Sequence, residues 1–112
     1  MEFDSNKPIY LQIIDNICDR ILSGELKAED RILSVRELGA EVGVNPNTVA
    51  RSYEKMTDTG IIYTKRGLGY FVAPGAKDAV LANARKAFIE NEVPQFLRKM
   101  ELLGIRKEEI FK

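Results

Sequence analysis

A three-residue turn between two short helical segments constrains the fold of this chain more than any other feature. Gly43-Val44-Asn45 follows one segment with helical spacing of apolar residues, and a second such segment begins at Pro46. Glycine adopts a left-handed backbone at little cost, and proline suits the first position of a helix. Gly39, four residues before the turn glycine, allows the two helices to cross closely. The sequence therefore predicts a helix-turn-helix.

The first of these two helices carries a capping signal at its start. Residues 34–37 read Ser-x-x-Glu, the form of a capping box in which Ser34 and Glu37 each cap the other's backbone. Leu38 and Val42 are expected to face inward from this helix.

The second helix is predicted to begin after Asn45, a good N-cap residue, and to run to about Thr59. Val49, Tyr53 and Met56 share one face at steps of four and three, which is typical of a core face. The polar residues expected to lie elsewhere and face outward are Asn47, Thr48, Arg51, Ser52 and Lys55.

A β-hairpin is predicted directly after the second helix. Residues 61–64 and 70–72 are rich in strand-forming types, and residues 65–69 form a turn with two glycines and two cations. A hairpin in this place makes the motif a winged helix. The predicted fold is mainly α with a small β-hairpin: an N-terminal winged helix-turn-helix DNA-binding domain at 1–75 and a C-terminal helical dimerisation arm at 76–112.

Another amphipathic helix is predicted to start at Pro8 and to end at Ser23-Gly24. Two adjacent rows of residues at helical spacing form its apolar face. Cys18 belongs to this face and is expected to be an inert core residue. The rows comprise Ile13, Ile17 and Ile21, and Ile14, Cys18 and Leu22.

The composition disfavours most enzyme classes. The 112 residues include no His and one Cys, which excludes His-ligated zinc, Ser-His-Asp triads and internal disulfides. We expect no cofactor and no metal. No apolar run approaches the roughly 18–20 residues of a membrane span, and the acidic N-terminus does not resemble a secretory signal, so a cytoplasmic location is expected.

Five blocks in order along the chain resemble a known family. They are residues 7–13 (KPIYLQI), 33–38 (LSVREL), 43–53 (GVNPNTVARSY), 60–62 (GII) and 67–72 (GLGYFV). Together they resemble the GntR family of bacterial transcription regulators, and residues 45–49 and the helical tail are similar to its YtrA subfamily. The chain departs from the family pattern at Leu33, where proline is usual, and at Gly39, where alanine is common.

The resemblance implies a dimer that represses transcription by binding a palindromic operator in double-stranded DNA. It implies that the second helix of the motif enters the major groove and that the glycine of the wing reaches the minor groove. The DNA-binding residues predicted on this basis are Ser34, Arg36, Asn45, Asn47, Thr48, Arg51, Lys65, Arg66 and Gly67.

Several of these residues also have a structural interpretation. We expect Asn45 to cap the helix rather than to read a base. Arg36 could form a surface ion pair, and Arg51 could pair with Glu54 or Asp58.

The charge distribution leaves two interpretations of the wing cations open, DNA contact and a solvated turn. Residues 1–76 hold nine Lys and Arg against eleven Asp and Glu, whereas residues 45–66 hold four against two, so positive charge concentrates at the predicted DNA-binding segment. Lys65 and Arg66 could instead belong to a solvated turn. The alternative function is a winged-helix module that docks a protein through the same helix.

The C-terminal segment carries an apolar seam that predicts helix pairing. Ile89, Val93, Phe96, Met100 and Leu103 recur at steps of four, three, four and three, and Leu81, Ala84 and Phe88 form an earlier stripe. Burying both favours an isologous homodimer, although packing within one subunit is the alternative. Pro94 is expected to kink or split this arm. Any small-molecule effector is unknown. The predicted dimerisation residues are Leu81, Phe88, Ile89, Val93, Phe96, Met100 and Leu103.

Overall fold

The computed structural model describes residues 2–111; Met1 and Lys112, at the ends of the predicted domains, lie outside them. The predicted class, mainly α with one hairpin, is confirmed. The elements in chain order are helices α1 (Ile9–Leu22), α2 (Val35–Val42) and α3 (Pro46–Asp58), strands β1 (Ile62–Lys65) and β2 (Gly69–Val72), helix α4 (Ala76–Ala87), a π-helical turn (Phe88–Glu92), and helices α5 (Val93–Leu103) and α6 (Lys107–Ile110).

Helix α1 buries the predicted apolar face. Ile13, Ile17 and Ile21 are buried, and the adjacent row, which includes Cys18, packs half-buried against the core. Pro8 is the N-cap and not the first helical residue, one position from the prediction. Burial, with the nearby charges of Asp15 and Asp19, raises the pKa of the Cys18 thiol to about 11. The thiol therefore stays protonated near neutral pH and is inert.

The capping box predicted for α2 is present. The Glu37 N–H donates to the Ser34 hydroxyl over 3.1 Å, and the Ser34 N–H donates to the Glu37 carboxylate over 3.0 Å. The bond from the Ser34 N–H is the main reason why the pKa of Glu37 lies below its usual value. At the other end, Gly43 adopts a left-handed backbone with φ of 71°. The helix therefore has the start and the end that the sequence predicts.

The crossing of α2 over the turn explains why residue 39 is glycine. Gly39 is buried, and its carbonyl accepts the Val44 N–H over 2.9 Å. A Cβ at this position would lie 2.8 Å from the Val44 carbonyl oxygen. The turn thus approaches α2 too closely for any side chain to fit without a backbone shift.

The outward orientation predicted for Ser52 is wrong. Ser52 is fully buried, and its hydroxyl donates to the Tyr10 carbonyl oxygen of α1 over 2.7 Å. Helix α3 packs against α1 as well as α2, so its buried face is wider than the row of apolar residues. A small hydroxyl fits this face because a backbone acceptor lies within reach.

The stretch before α2 supports the hairpin. Strands β1 and β2 pair antiparallel, and Lys65 lies opposite Gly69 in the pair next to the connecting loop. On the other edge of β2, the Glu29 N–H donates to the Val72 carbonyl over 2.8 Å and the Ile32 N–H donates to the Tyr70 carbonyl over 3.0 Å. The wing is therefore held on both edges of β2.

The chain forms two compact units that divide between Leu81 and Ala82, inside α4. The predicted boundary between residues 75 and 76 coincides with the start of that helix. Within the second unit the backbone stays helical around Pro94, which lies in the first turn of α5. The preceding π-helical turn accommodates the ring and the missing N–H, so the proline does not split the arm.

We predict that Gly39→Ala lowers the free energy of unfolding by about 1–2 kcal/mol. Forcing a carbon into a packed contact usually costs about 1–3 kcal/mol, and the upper part of that range, about 2–3 kcal/mol, applies here because the contacted atom belongs to the backbone. The better helix propensity of alanine offsets about 1 kcal/mol of this cost. Urea unfolding followed by circular dichroism measures the change. Gly75→Ala is the control, because a Cβ there meets no atom within 4 Å. Unchanged or higher stability of Gly39→Ala would contradict the close crossing.

Candidate nucleic-acid interface

The first turn of α3 presents polar side chains to solvent. Asn45 and Asn47 are exposed, and Thr48 is half-buried. The Asn45 side-chain oxygen accepts the Asn47 N–H over 2.8 Å, so the capping interpretation of Asn45 is correct. Its NH₂ group has no partner among residues 2–111. Asn47 is exposed, and its side-chain amide makes no hydrogen bond with any other residue in the range 2–111.

Arg51 lies one turn further along α3 and stacks on an aromatic ring. Its guanidinium carbon is 3.9 Å from the centroid of the Tyr10 ring of α1. The alternative ion pairs with Glu54 or Asp58 do not form in the described part of the chain. Stacking uses the face of the guanidinium and leaves its N–H edge free, so Arg51 is held in place while its donors remain available.

Arg36 occupies the second position of α2 and lies near the start of α3. It lines a shallow depression with Gly39, Ala40, Val44 and Pro46. Arg36 is exposed and forms no ion pair or hydrogen bond with any other residue in the range 2–111. The half-buried Ser34, predicted beside it, uses its hydroxyl as the helix cap.

The two cations of the wing differ in their surroundings. Arg66 is exposed at the loop, next to Gly67 with φ of 78°, and has no ion-pair partner in the described chain. The Lys65 ammonium lies 3.6 Å from the Glu29 carboxylate and 4.4 Å from the centroid of the Phe71 ring. Arg66 is thus free to meet a ligand, whereas Lys65 is held inside the wing.

One further cation, missed by the sequence interpretation, joins the wing to α2. The Arg31 side chain donates to the Leu68 carbonyl over 3.3 Å and lies 3.4 Å from the Glu37 carboxylate. It thereby connects the loop of the wing with the capping box. No local pattern marks this residue, because its contact spans 37 positions of the sequence.

The family of the chain follows from comparison with known proteins. Residues 9–72, which contain the helix-turn-helix and the hairpin, match the family model described as bacterial regulatory proteins, gntR family. The chain belongs to the GntR family.

Its relatives within the GntR family cover nearly all of the chain. The HTH-type transcriptional regulator YhcF of Bacillus subtilis is 42% identical over 110 residues, which are 97% of this chain and 88% of YhcF. The HTH-type transcriptional repressor YtrA of the same species is 34% identical over 95% of this chain and 81% of YtrA. This GntR chain is accordingly a member of the YtrA subfamily and a transcription regulator, not an enzyme.

Solved GntR structures share the fold. A GntR regulator from Listeria monocytogenes superposes with a TM-score of 0.80 at 40% identity over 96% of this chain and 93% of that one. YtrA from Sulfolobus acidocaldarius gives 0.63 at 32% identity over 98% and 87%. The DNA-binding domain of AraR, solved in complex with an operator, gives 0.57 at 29% identity over 65% and 86%. This GntR chain is a DNA-binding regulator.

Every helix within residues 2–111 of this GntR chain is too short or too polar to span a lipid bilayer. The same residues contain no group of three or more acidic, Cys or His side chains placed to hold a metal ion.

We predict that alanine substitutions of Asn45 and Asn47 change the free energy of unfolding by different amounts. Asn45→Ala removes the cap of α3 and should lower the free energy of unfolding by about 1 kcal/mol. Asn47→Ala removes an exposed amide and should change it by less than about 0.5 kcal/mol. Urea unfolding of both variants measures the difference. Equal effects of the two substitutions would show that the cap is not formed in solution.

Proposed function

We propose that this protein is a homodimeric repressor that binds a palindromic operator through α3 and the wing. The observation that carries the proposal is that three polar side chains, Arg36 of α2 and Asn47 and Arg51 of α3, are exposed and form no hydrogen bond or ion pair within residues 2–111. Donors and acceptors with no partner in the protein are suited to a polar ligand. The same residues concentrate positive charge on a chain whose net charge is zero.

The start of α3 has the chemistry needed to read bases in the major groove. An asparagine amide can form two hydrogen bonds with adenine, and a threonine methyl group can contact the thymine methyl. In our proposal Asn47 and Thr48 perform these roles, and the free NH₂ group of Asn45 lies beside them. Arg36 and Arg51 bind the phosphates and base edges on either side.

The wing is assigned to the adjacent minor groove. Arg66 supplies a positive charge that has no ion-pair partner among residues 2–111, and Gly67 permits close approach because it has no side chain. A narrow minor groove attracts cations through its negative potential. Lys65 is the second cation of the wing.

Dimerisation is assigned to the C-terminal arm. Leu81, Phe88, Ile89, Phe96 and Leu103 are between 45% and 63% exposed in the single chain. Exposed apolar side chains in this number favour a protein partner, and a second copy satisfies the symmetry of a palindrome. Val93 is half-buried and Met100 is buried in the single chain, so these two members of the predicted seam support the arm from within.

Because the chromosome lies in the cytoplasm, we propose that the protein acts there.

Selection from a random duplex library tests the proposal. At a fixed, near-physiological salt concentration, we expect enrichment of an inverted repeat whose half-sites lie about one helical turn apart. An enriched sequence without two-fold symmetry would overturn the dimeric arrangement. Absence of enrichment would overturn operator binding and favour the protein-docking alternative.

We predict that Arg36→Ala and Arg51→Ala each weaken binding to the selected duplex by about 1–3 kcal/mol. Each change removes a cation that forms no ion pair within residues 2–111. The free energy of unfolding should hardly change for Arg36→Ala, and it should fall by no more than about 1 kcal/mol for Arg51→Ala, which loses the stacking on Tyr10. Fluorescence anisotropy measures the affinity, and Lys27→Ala, which removes an exposed cation elsewhere, is the control. Unchanged affinity of either variant would show that its arginine does not contact DNA.

We predict that Phe96→Asp converts the dimer into monomers. A carboxylate in an apolar seam loses its hydration without gaining a partner. Sedimentation velocity measures the oligomeric state, and circular dichroism checks that the helices remain. Gln95→Asp adds the same charge at an exposed position between the seam residues and should leave the dimer intact. A dimeric Phe96→Asp variant would place the interface elsewhere.

A further inference from the structure

Glu29 has an unusual backbone conformation next to the wing. Its φ of 72° makes it the one residue other than glycine with a positive φ within residues 2–111. This left-handed region is disfavoured for residues with a Cβ. Such a conformation persists where surrounding contacts enforce it, so the contacts of Glu29 indicate what the strain achieves.

Three contacts hold Glu29 against the hairpin. Its N–H donates to the Val72 carbonyl over 2.8 Å, which fixes the backbone beside β2. Its carboxylate accepts the Tyr63 hydroxyl, and this hydrogen bond raises the pKa of Tyr63 above its usual value. The same carboxylate oxygen lies 3.6 Å from the Lys65 ammonium. The turned backbone therefore directs the carboxylate across the wing toward Lys65.

The result is a cation that pairs with a carboxylate at the surface of the wing. The Lys65 ammonium lies between the Glu29 carboxylate and the face of the Phe71 ring, 4.4 Å from its centroid. Arg66, the next residue, has no such partner in the described chain. Both side chains of the Glu29–Lys65 pair are about half exposed, at 50% and 41%. Exposed pairs are weak, so a DNA phosphate can compete with Glu29 for Lys65.

We propose that Glu29 sets the affinity of this protein for DNA by withholding Lys65 from the phosphate backbone. The inference rests on the proposed function, in which the wing lies against the duplex. A phosphate contact adds affinity without adding sequence information. Glu29 therefore lowers binding to every duplex alike and leaves discrimination to α3.

Glu29→Gln tests the inference because it keeps an acceptor for Tyr63 and removes the charge. Anisotropy titrations over a range of salt concentrations use the selected duplex and a scrambled duplex. We expect tighter binding to both by the same factor, about two- to fivefold, the range of an exposed ion pair. The slope of log K against log salt should become steeper by about one unit, as for one added phosphate contact.

Two comparisons separate this mechanism from a general charge effect. Glu25 lies on the same loop as Glu29 and pairs with Arg20 of α1. Glu25→Gln removes an equal charge and should leave the slope of log K against log salt unchanged. In a Lys65→Met background, Glu29→Gln should have no effect. Glu29→Gly, which also removes the backbone strain, should reproduce the gain and provides a second variant if the glutamine variant folds poorly.

The experiment distinguishes failure of the proposed function from failure of the inference on Glu29. A wild-type protein that binds neither duplex would overturn the proposed function. A wild-type protein that binds the selected duplex, with an unchanged slope for both Glu29 variants, would overturn only the inference. A gain that persists in the Lys65→Met background, or that Glu25→Gln reproduces, would also overturn it.

Discussion

The close contact between α2 and the turn that follows it is the constraint on which the interface depends. A Cβ on Gly39 would lie so close to the Val44 carbonyl oxygen that the backbone would have to shift, and Gly43 reverses the chain in a left-handed conformation. These two glycines bring α2 close to the start of α3, so that Arg36 lines one depression with Pro46, the residue that precedes Asn47. A wider crossing would separate the cation from the amide.

Helix α1 supports this interface from behind. The Tyr10 carbonyl accepts the buried Ser52 hydroxyl, and the Tyr10 ring carries the Arg51 guanidinium. One residue of α1 thus fixes the position of α3 and orients a cation that α3 presents. A side chain already restrained in its binding geometry loses less conformational entropy when a ligand arrives. Arg51 differs in this respect from Arg36, which no side chain of the described residues holds.

Features set by neighbouring residues could be predicted from the sequence. The capping box of Ser34, the left-handed Gly43 and the apolar faces of the helices follow from rules that act within a turn or two. Ser52, Arg31 and Glu29 were missed because their partners lie between 34 and 42 residues away. Lys65 was predicted to be a wing cation, but sequence could not show that a carboxylate from the opposite edge of the sheet pairs with it.

The most direct test of the central claim, that the start of α3 enters the major groove while the wing lies at the minor groove, is methylation interference on the selected duplex. Methyl groups on guanine N7 obstruct the major groove, and those on adenine N3 obstruct the minor groove. The account predicts that bound DNA is depleted of N7 methylation within each half-site and of N3 methylation at the flanks. Binding that tolerates N7 methylation throughout both half-sites would contradict it.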